Sequence, residues 1–159
     1  MFVQILSWLL VAFFFLLGSI LQPRATRVAV GLFFIVMALG VNLVLTVSAP
    51  EQFVLLGAGS SLPFYRHLFR DIVVSNPVLL GLCGVLYETM VGVAILGKGR
   101  SVTWGLAGGM LFLLVITPLN PATYPNLLFA AALAVLLRHR YDRSFVEIVR
   151  SAIRRRGMT

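Results

Sequence analysis

Charge is what this chain has least of. Only 11% of its 159 residues are Asp, Glu, Lys or Arg, against about a quarter in ordinary globular chains. A single cysteine, Cys83, excludes an internal disulfide and dithiol–disulfide exchange within the chain. Its two histidines, His67 and His139, are expected on opposite sides of the membrane and Cys83 stands alone, so no metal-ligand cluster emerges. No nucleophile, base and orienting group can be assembled, and the glycine-rich runs lie inside apolar segments, where a phosphate loop does not belong. What the chain has instead is apolar surface: 60% hydrophobic residues and a mean hydropathy of +1.00. A soluble domain is excluded, and the size suits a single membrane domain over 1–159.

Five apolar segments are apparent: about Phe2–Leu21, Val28–Val47, Pro77–Gly97, Val102–Ile116 and Tyr124–Leu137. Crossing a hydrocarbon core of ~30 Å takes ~20 helical residues. The first three meet that length, and the last two are short. The first lacks a basic leader and a small-residue cleavage site, so it reads as a retained helix. The charges test the layout independently. Arg24 and Arg27, then Lys98 and Arg100, then the seven arginines after Leu137 all fall on one side if the five segments alternate. Only Arg66 and Arg70 of the 13 basic residues fall on the other. The positive-inside rule then puts the N-terminus outside and the C-terminus in the cytoplasm, in the cytoplasmic (inner) membrane.

Two pieces lie outside the spans. Pro63 to Val74 reads as an outer interfacial helix, with Phe64, Leu68, Ile72 and Val73 on one side and Arg66, His67, Arg70 and Asp71 on the other. The preceding Gly57–Ser61 stretch reads as flexible. The tail from Ser144 to Arg156 opens with Ser144 and Glu147 at capping-box spacing. Its apolar stripe (Phe145, Ile148, Val149, Ala152, Ile153) is edged by arginines. A basic amphipathic helix there is expected to contact acidic lipid, or alternatively a protein partner, through Arg150, Arg154, Arg155 and Arg156. Nucleic acid is not expected, because no binding fold accompanies the charge.

Glu88 is the one formal charge inside the long apolar stretches. A carboxyl at that depth costs several kcal/mol unless it is protonated, paired or facing water. Gly81, Gly84, Glu88 and Gly92 recur at helical spacing, so Glu88 points into a helix–helix contact. Gly105 and Gly109 form a similar stripe in the next span, as do Gly31, Ala38 and Asn42 in the second and Asn126, Ala130 and Ala134 in the fifth. Asn42 lies at a matching depth and is the expected partner of Glu88, with Tyr87, Thr89 and Thr46 able to add hydroxyls. A structural interhelical hydrogen bond and a ligand or proton site are both open readings of this group.

From Arg27 onward the pattern resembles the DoxX-like family of small four-helix membrane proteins. The likeness rests on Arg27-Val28-Ala29-Val30-Gly31-Leu32-Phe33-Phe34 opening a span and Gly40-Val41-Asn42 near its end. Gly81-Leu82-Cys83-Gly84-Val85-Leu86-Tyr87-Glu88, Gly92 and Leu96-Gly97-Lys98-Gly99-Arg100 extend it. It covers roughly 27–144 and implies an all-α fold: a compact bundle of about five transmembrane helices, four of the family core plus Phe2–Leu21. Many members carry Gly-x-x-Lys where this chain has Gly40-Val41-Asn42-Leu43, so a buried Lys–Glu pair does not transfer. The resemblance implies a redox-associated, non-catalytic subunit of a larger membrane assembly, with other membrane subunits and lipids as partners. No cofactor is implied by the residues themselves. Quinone or lipid binding near Glu88 and Asn42 is the alternative, and a small transporter or proton pathway ranks last because a chain of polar groups is missing.

Overall fold

In a computed structural model of the chain the described residues are 2–60 and 62–156, less the side chains of Phe53, Arg155 and Arg156. Every regular element among them is helical. Helix α1 (Phe2–Leu21) is followed after one residue by a continuous helix, Pro23–Ser48. The latter consists of α2 (Pro23–Val36), a π-helical stretch (Met37–Asn42) and α3 (Leu43–Ser48). Next come α4 (Glu51–Ala58), α5 (Pro63–Leu68) running into a second π-helical turn (Phe69–Val73), and α6 (Pro77–Leu96). Then α7 (Arg100–Ile116), two 3₁₀ turns (Thr117–Leu119 and Pro121–Thr123), α8 (Asn126–Leu136) and α9 (Phe145–Arg156) complete the order.

Four helices are long and apolar enough to cross a membrane: Phe2–Leu21, Pro23–Ser48, Pro77–Leu96 and Arg100–Leu119. The segment Pro121–Leu136 is apolar but shorter. Prolines set several starts. Pro23, Pro63 and Pro77 each occupy the first helical position, where a missing N–H costs nothing. The turn between α6 and α7 depends on Gly99, whose φ of 58° is left-handed backbone that a side chain disfavours.

Contacts run α1 to α2, α2 to α6, α6 to α7, α7 to α8 and α8 back to α1. The five helices therefore form a closed ring. At the α2–α6 crossing the backbones nearly touch: a β-carbon on Gly92 would lie 2.8 Å from the carbonyl oxygen of Gly31. At α6–α7 a β-carbon on Gly105 would lie 2.7 Å from the nitrogen of Ile95. Small residues permit such approach where dispersion rather than water drives association. The centre is aromatic. Phe15 stacks on Phe129 at 4.8 Å, and Phe33 meets both edge-on at 5.3 and 5.5 Å.

Three local features differ from the sequence reading. The residues over 57–61 are partly ordered, since α4 extends through Ala58; Ser61 lies outside the described residues. The 63–74 helix begins as expected at Pro63 but loosens into a π turn from Phe69. The second span is likewise π-helical over Met37–Asn42, a stretch that contains Gly40 and ends at the very residue expected to meet Glu88.

Candidate functional site

Five helices in a ring, with a widened turn in one of them, leave space between them. The ring surrounds a cavity of about 910 Å³, within the size range of small-molecule sites. Its walls are mostly aromatic and aliphatic, with Phe33, Phe34, Phe112, Leu113 and Phe129 prominent. Leu56 of α4, with Phe69 and Val73 of the second π turn, also lines it, so the connection between the second and third long helices forms part of the wall. That cover is tied to the bundle by Ser60, whose hydroxyl donates to the carbonyl of Pro118 at 2.6 Å, and by Tyr65, whose hydroxyl donates to that of Val115 at 2.9 Å.

Glu88 stands in this chamber, 5% exposed. The carboxamide nitrogen of Asn42 donates to its Oε2. Asn42 reaches it from the end of the π-helical stretch, and its own carbonyl accepts from the buried Thr46 hydroxyl at 2.6 Å. A π turn accommodates an extra residue, which re-aims the side chains beyond it, and such turns recur at functional sites.

The other sequence-predicted site residues distribute differently. Tyr87 turns away from Glu88, its hydroxyl donating to the carbonyl of Gly108 at 3.0 Å across the α6–α7 contact. Thr89 bonds back to Val85 in its own helix at 2.8 Å. Neither lines the chamber, because neighbours of Glu88 in sequence lie 100° away around a helix. Gly81 packs against Thr46, Gly92 against α2, Gly105 against α6 and Gly109 against Phe34. Gly84, expected in helix packing, is a correction: a β-carbon there would meet nothing within 4 Å, and the residue lines the chamber. Arg150 and Arg154 are exposed on α9; the side chains of Arg155 and Arg156 lie outside the described residues.

The sequence reading missed a second polar pair. Trp8 of α1 donates through its indole nitrogen to the carboxamide oxygen of Asn126, at 2.6 Å. Both residues line the chamber, and Asn126 is 1% exposed. Helical spacing places Asn126 in a stripe with Ala130 and Ala134, and nothing in the apolar first segment singles out Trp8.

Buried polar chemistry also gathers at the end of the ring where α1 meets α2. Arg27 is 2% exposed. Its guanidinium donates to the carbonyls of Gly97 at 2.9 Å and Arg143 at 3.0 Å, and lies 4.9 Å from the ring centre of Tyr141. The Tyr141 hydroxyl donates to Leu136 at 3.1 Å. Burial pushes that phenol up to about 12, with Arg27 beside it acting in the opposite sense. These contacts hold the α6–α7 turn and the segment before α9 to α2. Further out, Lys98 pairs with Glu147 at 2.6 Å, and Ser144 and Glu147 cap each other at the start of α9. The Lys98 hydrogen bond, followed by that from the Ser144 backbone, holds the Glu147 carboxyl below its usual range.

Among the described residues no group of three or more His, Cys, Asp or Glu is placed to hold a metal ion. No family model matches the chain, and no curated protein or solved structure matches it.

Proposed function

We propose that the protein is a membrane-embedded binding component for an apolar small molecule of the quinone or lipid class, whose polar group meets Glu88 and Asn42. The observation that carries this reading is the chamber itself. It is large, mostly apolar, and has a buried carboxyl with a fixed hydrogen-bond partner in its wall. A site of that composition retains apolar molecules by desolvation and orients them by a few polar contacts. In this reading all five ring helices cross the membrane, α8 with help from its 3₁₀ turns, and the basic residues face the cytoplasm. The DoxX-like resemblance supports a redox-associated role, with α1 completing the chamber as an addition to the family core.

A second reading, a non-catalytic subunit of a larger membrane assembly, is supported by α9. Its Val146, Ile148, Val149 and Ile153 are uncovered, so a partner or the acidic lipid surface has an apolar stripe to cover. Gentle purification from the native membrane tests both. Co-purifying proteins are identified, and the organic extract is analysed by mass spectrometry for quinones and lipids. The first reading expects a bound apolar compound that Glu88→Leu depletes; the second expects a reproducible protein partner. A chain that emerges alone, with nothing in the extract beyond bulk lipid, contradicts both.

A further inference from the structure

The chamber has two polar pairs, and the second says something about the ligand that the first does not. An indole nitrogen is only ever a donor. The 2.6 Å contact with Trp8 therefore fixes which end of the Asn126 carboxamide faces it: the oxygen accepts, and Nδ2 takes no part in that contact. Trp8 is itself held, its ring lying 5.7 Å from Phe33. Among the described residues the one fully buried side-chain polar atom with no hydrogen-bond partner is Arg27 Nε; Asn126 Nδ2 has no acceptor either, but it keeps a sliver of exposure where the residue lines the chamber. Of the other polar side chains lining that end, Gln4 makes no hydrogen bond within the described residues, and three others are engaged locally. Ser7 donates to Val3, Asn120 accepts from the backbone of Ala122, and Thr123 donates to Thr117. A donor at the wall of an apolar space, with no protein acceptor, is paired there by a ligand or by water.

We infer that Asn126, oriented by Trp8, is a second ligand anchor, donating through Nδ2 to a carbonyl-type oxygen on the apolar molecule the chamber takes. This rests on the reading of the chamber as a ligand site and adds to it a chemical requirement. The ligand carries an oxygen acceptor at a position distinct from the group that meets Glu88. Pure hydrocarbons and unoxygenated tails fill the same space but leave the Asn126 donor unpaired. Trp8 is a positioning residue, acting through Asn126.

The test compares two probes that differ in one carbonyl, phenyl nonyl ketone and decylbenzene, on the full-length protein in nanodiscs. Affinity is read from the rise of the unfolding temperature with probe concentration. Infrared spectra of the ketone carbonyl supply an independent signature. The expected result is that the ketone binds about tenfold more tightly, the ratio one hydrogen bond carries, with its carbonyl stretch shifted to lower frequency. Asn126→Leu abolishes both the preference and the shift while decylbenzene binding stays. Trp8→Phe, which leaves Asn126 in place but unoriented, reduces the preference and serves if Asn126→Leu does not fold. Equal binding of the two probes to the wild type overturns the inference and means that water satisfies Asn126; the chamber reading survives. A preference lost in Glu88→Gln but kept in Asn126→Leu also overturns it, by assigning the carbonyl to the first pair. Binding of neither probe overturns the chamber reading, and the inference with it.

Discussion

At the scale of single residues, two buried polar groups set testable limits. Removing one member of the Asn42–Glu88 pair leaves the other unsatisfied in an apolar wall, whereas removing both leaves only space. Leaving a buried partner unpaired costs about 1–3 kcal/mol. Asn42→Leu is therefore expected to lower the unfolding temperature more than the double variant Asn42→Leu/Glu88→Leu, a comparison that thermal unfolding in nanodiscs measures directly. Tyr141 gives a pH dependence. Its folded value near 12 is raised above the unfolded phenol, so the neutral form is favoured by folding. That contribution is complete below about pH 10 and is lost as pH rises towards 12. Titrating stability across that window is expected to show a fall that is smaller in Tyr141→Phe.

Not every residue at these sites was equally legible. Glu88 and Asn42 could be matched because each is an isolated polar side chain at a definable depth in a helix. Helical spacing then decides which faces they share. Trp8 and Asn126 could not be matched in the same way. Tryptophan is grouped with the hydrophobic residues and does not stand out in an apolar segment, and the contact joins the first and last helices of the ring, a closure no periodicity within either helix encodes. Arg27 is a similar case. In sequence it is one loop arginine among many that fix orientation; its burial arises only because the Gly97 and Arg143 carbonyls converge on it from distant segments.

At the scale of elements, hydrophobic runs and prolines located the long helices, but a π-helical turn has no comparable signal. Its consequence is local widening, and the glycines show where the widening applies. Gly92 and Gly84 lie on the same helix, two turns apart, with opposite surroundings. A side chain at 92 collides with α2, whereas one at 84 enters open space. Gly92→Val is expected to cost several kcal/mol or prevent folding, since backbone atoms cannot yield, while Gly84→Ala is tolerated and gains about 0.5–1 kcal/mol from the helix preference of Ala over Gly. Unfolding of the two variants side by side decides it. For α9 the acid-sensitive element is the Lys98–Glu147 contact. The Glu147 carboxyl is held below its usual range when folded, so its contribution is present above the ordinary carboxylate value and is lost as pH falls through the folded one. Protection factors of the amides in 145–156, taken relative to the intrinsic exchange rate at each pH, are expected to fall with acid through that interval, and Lys98→Ala is expected to remove most of the difference.

At the scale of the whole molecule, the ring of five helices converts scattered weak features into one partly open cavity. The closing helix α8 is short, the joining segment α4–α5 covers the chamber instead of merely linking spans, and α1 contributes Trp8 to its wall. The account ties function to occupancy of that space, and Gly84 offers a way to fill it without disturbing the packing around it. In Gly84→Leu the new side chain projects into the chamber. The decisive measurement is the amount of apolar compound extracted per mole of folded protein, wild type against Gly84→Leu, at equal unfolding temperature. The wild type is expected to carry close to one compound per chain and the variant close to none; equal amounts in both would contradict occupancy of the chamber.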